Sequence, residues 1–238
     1  MIKRITLTGA DDSTDLKFMR ETSEKYPLIE WGILVSKKAL EVVDFVPPNI
    51  GTPRFPSKAW LNRAHDELPQ TMNLSCHLCG KWVRDLCFEG DTDFVSEIPM
   101  MFRRIQLNFH AIVHMVDEKK FISALQQFAG VQFIFQLDDV NNHILDIAKE
   151  AGIDAAPLFD TSGGVGRLPE SWPSSVGYAG YAGGLSPENL AEQMVLINQA
   201  SENKPIWIDA ETHLRSNNDQ LFDEKKILAF IEQAYNFI

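Results

Sequence analysis

Short apolar runs recur along the whole chain and alternate with amphipathic stretches. The runs are rich in Ile, Val, Leu and Phe, a composition typical of strands that are buried on both faces. Strands that alternate with helical patterns predict a parallel sheet whose neighbouring strands are joined by crossover helices. Eight runs fit this description: residues 4–8, 29–35, 72–78, 104–109, 131–137, 156–160, 176–180 and 205–209.

Helical patterns fill the connections, with one exception. They cover residues 13–25, 57–67, 80–88, 118–129, 139–151, 187–200 and 219–236, whereas the sixth connection is a glycine-rich loop. Eight strands in 238 residues match a barrel of about 250 residues better than an open sheet with helices on both faces. The prediction is therefore an α/β protein of one domain, residues 1–238: a (β/α)8 TIM barrel with eight parallel strands and outer helices.

Charge and cysteine content narrow the class of partner. The formal net charge of −11 disfavours binding to nucleic acid or to an anionic membrane surface. Three cysteines are too few for a disulfide framework, and no run reaches the roughly 20 apolar residues of a membrane span. We expect a cytoplasmic monomer or homodimer that binds a small molecule.

The barrel prediction also locates the chemistry, because the loops after the strands build the active face of such barrels. Polar residues and glycines occupy these strand ends: Thr8, Gly9, Ser36, His77, Cys79, Gly80, Gln106, Asn108, Gln136, Asp160, Gly183, Gly184, Asp209 and Glu211.

Two adjacent loops carry glycines in a pattern that favours a phosphate site. S-G-G-V-G at 162–166 follows the sixth strand, and A-G-G-L-S-P-E-N at 182–189 follows the seventh. Glycine lets successive N–H groups converge, and a helix start with Ser186 as N-cap and Pro187 next would add further donors. Either loop alone could be a plain turn; together they predict that phosphate is bound by Gly163, Gly164, Gly166, Gly183, Gly184 and Ser186.

These motifs carry a resemblance to phosphoribosylanthranilate isomerase that extends over all eight predicted strands. T-P-R-F-P-S at 52–57 resembles the family's S-P-R-Y-V-S, and I-Q-L-N at 105–108 resembles its V-Q-L-H. L-F-D-T-S-G-G-V-G with Trp172 resembles the family's L-L-D-S stretch with its G-G-T-G loop and tryptophan. Y-A-G-G-L-S-P-E-N-L resembles L-A-G-G-L-x-P-E-N-V, and W-I-D at 207–209 resembles V-D on the last strand.

The resemblance implies a sugar phosphate joined to an aromatic amine, and an Amadori rearrangement of aldosamine to ketosamine without a cofactor. Asp160 matches the general acid that protonates the ring oxygen. Arg54 matches the arginine that pairs with the anthranilate carboxylate. Gln106 and Asp209 fall in matching motifs and are predicted to bind substrate.

Two departures concern the catalytic machinery. Thr8 stands where the family has its cysteine base, and an alkyl hydroxyl is far less acidic than a thiol. On the last strand S-S-G-V-E becomes E-T-H-L-R at 211–215, which removes a phosphate-loop glycine. Replacement bases are open among five residues, with His77 favoured because imidazole accepts a proton near neutral pH: Asp11, Asp12, His77, Asp209 and Glu211.

The sequence also leaves functions other than this isomerisation open. C-H-L-C at 76–79 and H-A-I-V-H at 110–114 lack the further ligands of a zinc site. Glu30, His77 and Asp160 could hold a metal as in a ribulose-phosphate epimerase, another phosphosugar barrel enzyme. Replacement of the base by Thr8 leaves a third alternative, a barrel that binds phosphate or a phosphosugar without catalysis.

Overall fold

The computed structural model describes residues 1–41, 54–108, 117–137, 142–160, 162, 166–175 and 177–238. Its main feature is a closed parallel barrel in which each strand pairs with the next and the last returns to the first. The strands are β1 (Ile2–Thr8), β2 (Ile29–Ser36), β3 (Leu74–Cys79), β4 (Arg104–Leu107), β5 (Gln132–Leu137), β6 (Ala155–Asp160), β7 (Ala179–Ala182) and β8 (Ile206–Ala210). This confirms the predicted (β/α)8 TIM barrel.

Helices surround the barrel in the order that the alternating pattern predicts. They are α1 (Leu16–Lys25), α2 (Lys37–Glu41), α3 (Lys58–Glu67), α4 (Lys81–Glu89), α5 (Phe94–Glu97), α6 (Glu118–Leu125), α7 (Asn142–Glu150), α8 (Leu190–Ala200) and α9 (Glu224–Tyr235). A 3-10 helix (Thr212–Leu214) and a hairpin of β9 (Arg215–Ser216) and β10 (Leu221–Phe222) precede α9. No described residue between β6 and β7 is helical, as the glycine-rich sequence predicts.

The apolar side chains form two regions separated by the barrel wall. The larger lies between strands and helices and includes Trp31, Phe133 and Phe230, all essentially buried. A smaller cluster fills the barrel interior: Ile134, Ala156, Leu158, Ala182 and Trp207. Because the interior is packed with side chains, ligand space is confined to the ends of the barrel.

Several element boundaries differ from the sequence prediction. The helix expected at 219–236 begins only at Glu224, because Asp223 accepts hydrogen bonds from the amides of Lys225 and Lys226 and so acts as the N-cap. The preceding hairpin was not predicted. Its turn contains Asn217, Asn218 and Asp219, with φ of 51°, 53° and 72°. Three consecutive left-handed residues cannot continue a right-handed helix.

The seventh strand also lies later than predicted, at Ala179–Ala182 rather than 176–180. α1 begins at Leu16 rather than at residue 13, after the N-cap Asp15, and α8 begins three residues later than predicted. Residues 138–141, at the start of the helix expected at 139–151, lie outside the described residues.

Candidate functional site

A pocket opens at the carboxyl ends of the barrel strands, where the fold predicts the active face. Together with the open space at its mouth, the pocket has a volume of about 690 Å³. It is lined by His77, Gln106, Asn108, Gln136, Leu158, Asp160, Ser162, Gly166, Ala182, Gly183, Gly184, Leu185, Asp209, Ala210, Glu211, Thr212 and His213.

Two aspartates face this pocket from strands that flank β7. Asp160 ends β6 and is in register with Ala182, which is in turn in register with Asp209 of β8. Neighbouring strands lie about 4.8 Å apart, so the two carboxylates belong to backbone positions roughly two strand spacings from each other. The small side chain of Ala182 leaves open space between them, where a ligand could contact both.

Asp160 is held in place by three hydrogen bonds. Its Oδ1 accepts from the amide and the hydroxyl of Ser162, at 3.0 Å and 2.7 Å. Its Oδ2 accepts from Nε2 of Gln136 at 2.9 Å. Ser162 and Gln136 both line the pocket, so this carboxylate has a fixed orientation in the wall of the site.

Asp209 lies deeper and is the partner of Thr8. The Thr8 hydroxyl donates to Oδ1 of Asp209 at 2.7 Å, and both residues are buried. Burial raises the pKa of Asp209 well above its usual range, the Thr8 hydrogen bond lowers it, and the nearby carboxylates Glu211, Asp160 and Glu30 raise it. Thr8 is thus a hydrogen-bond donor to a carboxylate whose proton affinity is increased.

His77 and Thr8 meet across a glycine of β2. A side chain on Gly32 would place its Cβ 2.4 Å from Thr8 Oγ1 and 2.9 Å from His77 Nε2, so the glycine is what allows both residues into the barrel interior. His77 Nε2 also lies 3.1 Å from Ser75 Oγ. Burial lowers the pKa of His77 to about 4, and this imidazole is therefore neutral at pH 7.

The glycine loops converge at one end of the pocket. Gly183 and Gly184 have φ of 109° and 71°, and Gly166 has φ of 67°. A Cβ on Gly184 would lie 2.4 Å from the amide nitrogen of Leu168, and one on Gly166 would lie 2.8 Å from Thr212. Glycine is needed at both positions because Gly184 packs against the backbone of the loop after β6 and Gly166 packs against the Thr212 side chain after β8. Gly163 and Gly164 lie outside the described residues.

Ser186 caps the turn that leads into α8. Its hydroxyl accepts from the amides of Glu188 and Asn189, at 3.2 Å and 3.3 Å, and its own amide donates to Oδ1 of Asn189. The side chain of Asn189 donates to the Gly184 carbonyl at 2.8 Å. These bonds tie the helix start to the glycine loop and fix the shape of this end of the pocket.

Arg54 does not line the pocket but lies behind one of its walls. Its Nη1 donates to Glu211 Oε1 at 2.5 Å and to Thr212 Oγ1 at 3.3 Å, and its Nε donates to Asp219 Oδ2 at 2.7 Å. The φ of Arg54 is 82°, and its amide donates to Asp11 Oδ2. The guanidinium predicted to meet a substrate carboxylate is paired with two carboxylates of the chain itself.

Arg215 stabilises the same wall through three further contacts. It donates to the Gly9 carbonyl, to Oδ2 of Asp11 at 2.6 Å and to the Asp219 carbonyl at 3.1 Å. Asp11, an alternative base by its position in the sequence, is an ion-pair partner of this buried arginine.

Gln106 is buried, with 6% of its surface exposed, and its Oε1 is an unused hydrogen-bond acceptor. The Cys79 thiol donates to the His77 carbonyl, Asn108 Nδ2 donates to Cys79 Sγ, and Gln106 Nε2 donates to Asn108 Oδ1 at 3.0 Å. This chain of donors orients both amides. It leaves Gln106 Oε1 without a partner among the described residues, on a side chain that lines the pocket.

The predicted site residues within the described ranges therefore fall into two groups, and Gly163 and Gly164 lie outside those ranges. Those that line the pocket are Asp160, His77, Gln106, Asp209, Gly166, Gly183 and Gly184. Thr8, Arg54 and Ser186 lie behind its walls. Sequence reasoning missed Ser162, Thr212 and His213; the serine two residues after an aspartate at a strand end is a local pattern that could have indicated the Asp160 contact.

A metal site as in the epimerase alternative loses its first ligand. Glu30 is fully buried at the other end of the barrel, where it pairs with Arg4 and Arg104 at 2.8 Å each. Within the described ranges, no group of three or more His, Cys, Asp or Glu side chains is arranged to hold a metal ion. H-A-I-V-H at 110–114 lies outside them.

The fold and the position of the site define a (β/α)8 barrel with a polar pocket at the carboxyl ends of its strands. The structure is similar to phosphoribosyl anthranilate isomerase from Thermus thermophilus (TM-score 0.60, 12% sequence identity, 99% of this chain and 100% of that chain). It is also similar to TrpF from Jonesia denitrificans (TM-score 0.59, 13% identity, 98% and 97% coverage).

A third similar structure is phosphoribosyl anthranilate isomerase in complex with reduced 1-(o-carboxyphenylamino)-1-deoxyribulose 5-phosphate (TM-score 0.59, 16% identity, 99% of this chain and 100% of that chain). Comparison of the sequence with models of protein families and with curated proteins found no match. At 12–16% identity the structural similarity establishes a fold like that of phosphoribosylanthranilate isomerase. Among the described residues, no helix has the length and apolar character needed to cross a membrane.

Proposed function

We propose that the protein is an isomerase that converts a phosphorylated aldosamine into the corresponding ketosamine. The observation that carries this proposal is the pair of aspartates, Asp160 and Asp209, on either side of Ala182 in one pocket. Such a rearrangement needs an acid and a base that reach neighbouring atoms of one sugar. The proposed ligand also bears a phosphate, for which the glycine loops supply a site of backbone donors at one end of the pocket.

Before the final tautomerisation the chemistry requires two proton transfers, and it needs no external oxidant. Asp160 donates a proton to the ring oxygen, the C1–O bond breaks with its electron pair going to that oxygen, and the nitrogen lone pair forms a C=N bond. A base then removes the C2 proton to give an enaminol, which tautomerises to the ketosamine. C2 is oxidised as C1 is reduced within one molecule, so the reaction balances without a redox cofactor.

We assign the base to Asp209 rather than to His77, the residue that the sequence favours. Burial lowers the pKa of His77 to about 4, which makes its neutral ring a weak proton acceptor. Burial raises the pKa of Asp209, so its ionised form is a stronger base than an exposed carboxylate. In this proposal Thr8 does not replace the cysteine base but orients the carboxylate that does.

The test is turnover of phosphoribosylamines formed from several aromatic amines, followed by NMR for ketosamine. We expect Asp209→Asn and Asp160→Asn each to lower kcat by roughly 10²–10⁴-fold, the usual range for loss of a general acid or base. In the wild type kcat/KM should rise with pH as Asp209 loses its proton through its raised pKa, and Asp209→Asn should lack this limb.

Asp154→Asn serves as the matched control, since Asp154 immediately precedes the opposite end of β6 and the one contact recorded for its side chain is with Gln132. Its activity should equal that of the wild type. Full activity of Asp209→Asn, or no ketosamine from any amine, would contradict the proposal.

A protein that binds a phosphosugar without converting it is the second candidate. It is favoured by Thr8, which cannot itself serve as the base. It predicts that ribose 5-phosphate binds in calorimetry while C2 exchanges no hydrogen with D2O in the presence of the protein.

A further inference from the structure

The wall formed by Glu211 and Arg54 bears on which amine the site accepts. We propose that the amine component of the substrate carries no carboxylate and instead presents an N–H or O–H donor, such as a carboxamide, to Gln106. This inference rests on the proposed function, because it concerns the amine component of the same ligand.

Arg54 is already paired with two carboxylates of the chain itself. Glu211 and Asp219 hold Arg54 at 2.5 Å and 2.7 Å, and the Arg54 side chain is 19% exposed. A ligand carboxylate that paired with Nη1 of this guanidinium would displace Glu211 from it. The displaced Glu211 would then lie unpaired in the pocket wall beside the ligand's own charge, an arrangement that electrostatics opposes.

The described lining of the pocket is acidic. Three carboxylates line the pocket, Asp160, Asp209 and Glu211, and no lysine or arginine is among its described lining residues. The proposed phosphate can be held by backbone donors at the glycine end. For a carboxylate on the amine component the described lining offers no lysine or arginine, so anthranilate-type amines are disfavoured.

Gln106 carries an unused hydrogen-bond acceptor. Gln106 Oε1 is buried and has no donor within the described part of the chain, and the residue as a whole is 6% exposed. An unpaired buried carbonyl oxygen is costly, and a ligand N–H or O–H that reaches it removes this cost. A site with such an acceptor discriminates strongly against analogues that lack the donor.

The experiment compares three ligands by calorimetry. They are reduced 1-(o-carboxyphenylamino)-1-deoxyribulose 5-phosphate, its o-carboxamide counterpart and its unsubstituted phenylamino counterpart. In the wild type the carboxamide should bind at least about 10-fold more tightly than the carboxylate, a difference within reach of one well-placed polar group.

Two variants separate the contributions of the wall and of the acceptor. Glu211→Gln frees Arg54 from its pocket-side partner and should raise the affinity for the carboxylate ligand by about 10-fold or more, with little change for the phenylamino ligand. Gln106→Met should lose the preference for the carboxamide over the phenylamino ligand. Asp219→Asn is the matched control: it also removes a partner of Arg54, but Asp219 does not line the pocket, so the ligand preferences should stay as in the wild type.

The outcomes distinguish this inference from the function on which it rests. Wild-type protein that binds the carboxylate ligand as tightly as the carboxamide overturns the inference and leaves the isomerase proposal standing. Failure of all three ligands and of inorganic phosphate to bind overturns both. A Gln106→Met protein that keeps the carboxamide preference overturns the role of the unused acceptor.

Discussion

At the scale of single residues, the barrel interior holds two titratable groups that respond to pH in opposite directions. Burial lowers the pKa of His77 and raises that of Asp209. Both effects have one cause, since a low-dielectric environment disfavours the charged form of either group. The chain is therefore expected to gain stability from a neutral His77 at neutral pH, while an ionised Asp209 reduces it.

The lowered pKa of His77 predicts how the free energy of unfolding changes at acid pH. The unfolded chain binds a proton at the ordinary value of 6.5, whereas the folded protein binds it only at about 4. Above pH 6.5 His77 therefore does not lower the free energy of unfolding, and as the pH drops to 4 this residue lowers it by roughly 3 kcal/mol. His77→Gln should remove most of this loss, measured by urea unfolding between pH 4 and 7.

The control for this prediction is His65→Gln, because the His65 side chain is 49% exposed. Its stability curve should parallel that of the wild type. If His77→Gln retained the full acid-induced loss, the loss would have to arise from other groups.

The sequence identifies these residues but does not rank them. Asp160, His77 and Asp209 are predictable as site residues because a barrel gathers its strand ends on one face. Their relative proton affinities depend on burial and on contacts such as that of Thr8 with Asp209, which join residues about 200 positions apart in the chain. The pairing of Arg54 with Glu211 is equally non-local, so a motif match alone could not reveal it.

At the scale of elements, prediction succeeds where a periodic pattern is long and fails where an element is short. The eight strands were predictable from apolar runs of several residues. The two-residue strands β9 and β10 are too short to carry a periodic pattern. The left-handed turn at Asn217 to Asp219 decides the structure there.

The start of α9 can be tested through its cap. Asp223 accepts from the amides of Lys225 and Lys226, two donors that the first turn of a helix otherwise leaves unpaired. We expect Asp223→Ala to lower the free energy of unfolding by about 1 kcal/mol, measured by chemical denaturation. Asp93→Ala is the control, because Asp93 precedes α5 without a side-chain cap, and it should change stability by much less.

At the scale of the whole molecule, the closed barrel has two ends with different tasks. The carboxyl ends of the strands surround the pocket, whereas the amino ends are joined by a buried ion cluster. Glu30 of β2 pairs with Arg4 of β1 and Arg104 of β4, and accepts from Thr6 at 3.1 Å. Arg104 also lies over the Trp207 ring of β8, 4.4 Å from its centroid, so the cluster spans the inside of the barrel.

This cluster predicts how the barrel responds to loss of one charge. Glu30 is fully buried, and if it became neutral the buried Arg104 would lose its counter-ion, whereas the Arg4 side chain is 28% exposed to water. Breaking a buried pair in this way typically costs 3–5 kcal/mol, so Glu30→Gln should be destabilised by about that amount in urea unfolding. Adding Arg104→Met should restore part of the stability, because the second change removes one of the two unpaired charges.

The matched control is Glu97→Gln, which breaks a pair with Lys58 in which both side chains are about half exposed. Exposed pairs contribute roughly 0–1 kcal/mol, so this variant should unfold almost as the wild type does. Equal stability of Glu30→Gln and the wild type would mean that water reaches the amino end of the barrel and solvates both arginines. Because the cluster lies at the end opposite the pocket, Glu30→Gln that remains folded should bind phosphorylated ligands with the wild-type affinity.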